Sequence, residues 1–178
     1  MMEEKYKKQV IPAMKQKFGY KSDMAVPRIE KVVVNVGIGS IIASKDEKAQ
    51  EAITRDITLI TGQKPLVTLA KKAISAFKIR EGMPVGLKIT LRGKRMYDFL
   101  SRLVNIVLPR TRDFRGLNSN SIDEDGNLTI GIKEHIIFPE ISQEDLRRIF
   151  GFEITVVTHT KNKEKALEMY KLMGFPIK

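Results

Sequence analysis

Between residues 85 and 92, apolar and polar positions alternate without a break: Val85, Leu87, Ile89 and Leu91 fall on one face, Gly86, Lys88, Thr90 and Arg92 on the other. Successive side chains of a strand point to opposite faces, so this stretch predicts a strand with an apolar face for a core and a polar, basic face for solvent or a ligand. Residues 28–37 (RIEKVVVNVG) repeat the pattern, setting Val32, Val34 and Val36 against Lys31, Val33 and Asn35. Residues 65–70, 127–138 and 153–160 read as further strands, the second interrupted or ended by Pro139.

Other stretches follow the helical period. Tyr6, Val10, Ile11, Met14 and Phe18 recur at near-helical spacing among lysines, with Pro12 expected to kink or restart that helix. Ser44 followed by Glu47 forms a capping box ahead of Ala49, Ala52, Ile53, Ile57 and Ile60, and Gly62 is placed to end the helix. Met96, Phe99, Leu100, Leu103, Val104 and Val107 trace a third stripe, expected to stop before Pro109. Ser142 and Asp145 suggest a short capped helix. Asn162 caps a last one that has Ala166, Leu167, Tyr170 and Met173 inside and is closed by Gly174 and Pro176. Residues 71–84 (KKAISAFKIREGMP) lack a clear period and read as a long loop, a length that usually carries function. Strands and helices in mixed order, with antiparallel-looking alternation, predict an α+β fold: a mostly antiparallel sheet with helices packed on one face, in a single domain over residues 1–178.

Composition narrows the chemistry. Without cysteine, thiolate catalysis, disulfides and cysteine-rich zinc sites are excluded together, and two histidines, His135 and His159, show no metal-ligand spacing. Each reads as an ordinary strand side chain. Gly37 and Gly39 follow a strand, but Ile42 stands where a dinucleotide-binding turn needs its third glycine. Gly62, Gln63 and Lys64 are followed by Pro65 rather than the Ser or Thr of a phosphate-binding loop. Neither a cofactor, a metal nor an enzymatic constellation is expected. No run approaches the roughly 20 apolar residues of a membrane span, and the start, MMEEKYKK, lacks the apolar stretch of a secretory signal. A soluble cytoplasmic protein with no membrane partner, monomeric on its own, is the expectation.

Charge changes the picture most. The formal net charge is +11, but residues 1–63 contribute +3, residues 64–115 +10 and residues 116–178 −2. Positive charge concentrated in one segment is the footprint of phosphate contacts, each of which releases condensed counterions. If the strands holding Lys31 and Asn35, and Lys88, Thr90 and Arg92, share a sheet, their outward side chains form a flat set of donors and cations suited to folded RNA. The alternative is that they only solvate the open face of an antiparallel sheet, or serve a nonspecific nucleic-acid-binding module. Aromatics are sparse, so recognition should lean on shape and backbone rather than on base stacking. Phe77, among lysines in the long loop, has two open roles: touching a ribose or base, or tucking back onto the core.

The blocks VPRIEKVVVNVGIG, ITGQKPLVTLAKKAISAFKIREGMPVGLKITLRG, LPRTRDFRGL, IIFPEI and the terminal GFP resemble bacterial large-subunit ribosomal protein five over essentially the whole chain. The resemblance implies a non-catalytic protein of the central protuberance that binds 5S ribosomal RNA and helps attach it to 23S ribosomal RNA, beside other ribosomal proteins. Carried over, the 5S-contacting positions fall on Asn35, Gln63, Thr90 and Arg92, with Lys31, Lys64 and Lys88 beside them. The family's long loop reaches toward transfer RNA in the peptidyl site. Here it corresponds to residues 71–84, with Lys71, Lys72, Ser75, Phe77, Lys78 and Arg80 as contacts. A bridge to small-subunit ribosomal protein thirteen is placed on Glu134, Glu140, Glu144 and Asp145.

Overall fold

The computed structural model describes residues 2–39, 47–77, 79–112, 114–141 and 149–178. Among these, β1 (Ile29–Gly37), β2 (Leu66–Leu69), β3 (Pro84–Leu91), β4 (Leu128–Ile132) and β5 (Phe152–Thr158) form an antiparallel sheet in the order β2-β3-β1-β5-β4. Four helices among the described residues accompany it. In α1, α-helical turns Met2–Lys5 and Ile11–Phe18 flank a π turn at Tyr6–Val10; α2 is Glu47–Thr61; α3 joins Gly93–Arg102, a π turn at Leu103–Val107, and Leu108–Arg110; α4 is Lys163–Met173. The expected α+β class is what the chain adopts. The residues group into two compact units, one of Met1–Val32, Leu91–Ile130 and Thr155–Lys178, the other of Val33–Thr90 and Gly131–Ile154.

The first unit holds α1, α3 and α4. Their stripes (Tyr6, Val10 and Met14; Met96, Phe99, Leu103 and Val107; Ala166, Met169, Tyr170 and Met173) are buried. Tyr170 is the largest fully buried side chain, and its hydroxyl lies 3.1 Å from the Gly126 carbonyl and 3.2 Å from that of Val156. Gly126 has φ +78°, and a Cβ there would stand 2.7 Å from that of Ala166, so the turn after Asp123 reaches α4 only with glycine at its end. Asn162 caps α4 as expected, its side chain accepting from the Lys165 amide at 3.1 Å, and Gly174 ends it in the left-handed region.

The two prolines are accommodated in the same way, and the expectation at Pro109 is corrected. At Pro12 a π turn gives way to a new α-helical segment within one continuous helix, and α3 runs past Pro109 to Arg110 instead of stopping before it. In each case a π turn ends just ahead of the proline: Ile11 N–H bonds the Tyr6 carbonyl, and Leu108 N–H that of Leu103. Proline lacks an N–H and its ring crowds the carbonyl four residues back; widening the turn relieves that crowding and keeps the helix going.

The second unit buries Val34 and Val36 of β1, Leu87 and Ile89 of β3, and Ile53, Ile57 and Ile60 of α2. Ser44 of the expected capping box lies outside the described residues; Gly62 does end α2, at φ +69° with its N–H on the Thr58 carbonyl. The strand expected over 127–138 ends at Ile132, and a 3-10 turn, His135–Ile137, follows it. His135 is therefore a fully buried turn residue rather than a strand side chain. Its ring stacks on Phe150 at 4.0 Å, Nδ1 accepts from the Phe150 amide at 3.4 Å, and Nε2 lies 3.7 Å from Asp56. The capped helix expected at Ser142 and Asp145 lies outside the described residues.

Candidate nucleic-acid interface

The alternation that predicted β1 and β3 is the alternation of burial. Along β1, Val32, Val34 and Val36 are buried while Asn35 is exposed; along β3, Leu87, Ile89 and Leu91 are buried, Lys88 is exposed and Thr90 half-exposed. These two strands are neighbours, with β2 on the far side of β3. In the second unit, Asn35, Lys88 and Thr90 thus point away from the apolar core. β2 adds to this face, because Leu66 pairs with Lys88 and Thr68 with Gly86, and paired residues share a face. The Thr68 hydroxyl lies 2.8 Å from where a Cβ at residue 86 would stand, and the Val36 carbonyl 3.1 Å, so glycine there lets the neighbouring strands close in.

Gln63 enters through the end of α2. The Thr61 hydroxyl lies 2.7 Å from the Ile57 carbonyl and 3.1 Å from that of Gln63, which fixes the chain just beyond the helix. From there the Gln63 side-chain amide donates to the Thr90 carbonyl at 3.4 Å, tying the helix end to β3. Lys64 beside it is exposed, and Pro65 is buried. Asn35, Gln63, Lys64, Lys88 and Thr90 all belong to this one unit. Leu66, 68% exposed, was not singled out from sequence; its facing became visible only through the pairing with Lys88.

Lys31 and Arg92 belong to the first unit. Lys31 is half-buried. Arg92 is exposed and extended at the start of α3, makes no capping bond with its side chain, and is followed by a first turn without acids.

The loop over 71–84 is more ordered than an aperiodic stretch suggests. The Ala70 amide bonds the Met83 carbonyl, the Gly82 amide bonds that of Ala70, and Ile74 and Ile79 exchange backbone bonds at 2.9 and 3.1 Å. β2 and β3 are thereby prolonged into a hairpin. Phe77, 68% exposed near its tip, does not tuck onto the core, and Lys71, Lys72, Ser75 and Arg80 are exposed around it. Lys78 lies outside the described residues, as do Glu144 and Asp145; Glu134 is exposed and Glu140 half-buried.

Comparison with known proteins follows the same outline. Residues 22–80 match the family model described as ribosomal protein L5, and residues 84–177 match the companion model for the C-terminus of the same ribosomal family. The chain belongs to the ribosomal protein L5 family. It is 52% identical to the large ribosomal subunit protein uL5 of Halothermothrix orenii, covering 99% of this chain and 97% of that protein. It is likewise 52% identical to the uL5 of Dictyoglomus turgidum, covering 100% and 98%, and 51% identical to that of a Thermoanaerobacter species, covering 98% and 97%. The L5 models meet between residues 80 and 84, at the returning arm of the hairpin.

Proposed function

We propose that this L5-family chain holds 5S ribosomal RNA on the outward face of its sheet and helps attach that RNA to 23S ribosomal RNA. Family membership makes it a structural, non-enzymatic constituent of the large ribosomal subunit, at work in the cytoplasm. The observation that carries the finer reading is the set Asn35, Lys88 and Thr90 on the side away from the core of one unit, with Gln63 at the end of α2 bonded to the main chain of Thr90. Amides and hydroxyls of this kind pair with ribose hydroxyls and base edges, while Lys64 and Lys88 neutralise phosphates. Lys31 and Arg92 complete the proposed contact set.

The hairpin is the proposed contact to transfer RNA in the peptidyl site, through Lys71, Lys72, Ser75, Phe77, Lys78 and Arg80. Its exposed Phe77 offers a ring to a ribose or base, and its cations suit a partner that comes and goes. Glu134, Glu140, Glu144 and Asp145 are proposed to meet small-subunit ribosomal protein thirteen.

Binding to purified 5S RNA in a salt series, with transfer RNA and an unrelated structured RNA as competitors, tests the central claim. Retained preference for 5S RNA supports it. Equal affinity for every RNA would leave only a nonspecific nucleic-acid-binding module.

A further inference from the structure

β2 stands at the end of the strand order, so one of its sides has no neighbour in the sheet. Beyond it, the Ala70 amide bonds the Met83 carbonyl and the Ala70 carbonyl accepts from the Gly82 amide, so both main-chain groups of Ala70 face the returning arm. In antiparallel strands, residues that turn both groups to the neighbour alternate with residues that turn both away. Counted back from Ala70, Leu69 and Val67 turn theirs to the open side. The register break between Thr68 and Leu69 leaves this count intact, because the extra residue is Val85, on β3.

Side chains on both faces suit that open side to a further strand. Val67 pairs with the buried Leu87 and therefore lies on the core face, yet it is 39% exposed, and Leu69, on the same face, is 58% exposed. Leu66 stands out on the opposite face. Free donors and acceptors between aliphatic side chains form a template for an extended peptide, whose own main chain completes the ladder. A nucleic acid fits poorly here, since its phosphates would meet carbonyls and hydrocarbon in place of donors and cations.

Charge decides what kind of peptide. Lys64 precedes β2, Lys71 and Lys72 follow it, all three are exposed, and no acid occurs between Asp56 and Glu81. A second copy of this chain is disfavoured by register: setting Leu66 of one copy against Leu69 of the other also sets Lys64 against Lys71, at both ends of the pairing. Like charges directly opposite are destabilising, whereas carboxylates at the same positions are favourable.

We infer that the open edge of β2 docks an acidic, extended segment of another protein as an added strand, with its apolar side chains against Leu66, Val67 and Leu69 and its carboxylates against Lys64, Lys71 and Lys72. All of these residues lie in the second unit. The inference does not depend on which RNA the sheet face holds.

The test uses the full chain and a labelled synthetic peptide of alternating valine and threonine between pairs of glutamates. A peptide with the same centre between pairs of lysines should bind about tenfold more weakly, and K64E/K71E should reverse that preference. Hydrogen exchange at the Val67 and Leu69 amides should slow when the glutamate peptide binds. V67P removes an outward N–H and no bond to β3, a change that an edge strand tolerates, and should weaken peptide binding about tenfold with transfer RNA binding unchanged. Should V67P fail to fold, a peptide N-methylated at alternate central residues reads the same loss on the native chain. Absence of binding, or full binding by V67P, would leave only a basic surface and overturn the site. So would a V67P chain that loses affinity for transfer RNA but not for the peptide, or a native chain that dimerises through this edge in place of taking the peptide.

Discussion

Gln63 reaches 27 residues along the chain to donate from its side-chain amide to the main-chain carbonyl of Thr90, at 3.4 Å. The bond is long, so its share of stability is small; its effect is to hold the amide beside β3. Gln63→Ala is expected to cost under about 1 kcal/mol of stability and to lower affinity for 5S RNA about tenfold, equivalent to about 1.4 kcal/mol. Denaturant melts and RNA titrations on the same preparation separate the two effects.

Division of labour between face and hairpin gives a second expectation. Asn35→Ala and Thr90→Ala should weaken 5S binding by about fivefold to tenfold each, on the scale of one lost hydrogen bond. Lys72→Ala should leave 5S binding unchanged and reduce only transfer RNA binding. Equal losses for all three variants, measured against both RNAs, would sink the assignment.

In the first unit, Tyr170 should act on stability alone. Burial pushes its phenol far up, out of reach of ordinary titration, so the hydroxyl stays a donor to the Gly126 and Val156 carbonyls. Tyr170→Phe removes the phenol donor and leaves the Gly126 carbonyl with the Thr158 hydroxyl at 3.1 Å, so an expected loss of about 1 kcal/mol can be read from the denaturation midpoint.

Acid should weaken the second unit through His135. Burial holds its pKa below the usual imidazole value, with Asp56 opposing that shift. The folded chain then binds fewer protons than the unfolded chain, so the stability His135 contributes is present above about pH 6.5 and is lost as the pH falls toward the depressed folded value. Midpoints at pH 7.5 and 5.5 should differ more for the native chain than for His135→Asn. An equal difference would clear His135.

What the sequence showed most clearly was what simple periods encode. The alternation at 85–92 and 28–37 gave both the buried faces and the outward position of Asn35, Lys88 and Thr90 before any pairing was visible. The stop expected before Pro109 fails because a local rule has an escape route: a π turn ahead of the ring, as also at Pro12, removes the clash that would have stopped the helix. The hairpin at 71–84 escaped because its backbone bonds join residues that follow no side-chain period. The charge cluster was read as one footprint, because position along a chain does not report which compact unit a cation joins. Leu66 depended on a register that only the fold supplies.

β2 is an edge strand, and Leu66, Leu69, Ile74 and Phe77 stand exposed along it and the hairpin beyond. Before an RNA partner arrives, this is an open strand edge lined with apolar side chains, the form most prone to pairing with another chain. Lys64, Lys71 and Lys72 flank it, and like charges at such positions oppose the approach of a second edge. That protection weakens as ionic strength rises. Chains made in excess of their RNA are thus the vulnerable population, so supply of this protein has to keep step with supply of RNA or be matched by proteolysis of the surplus.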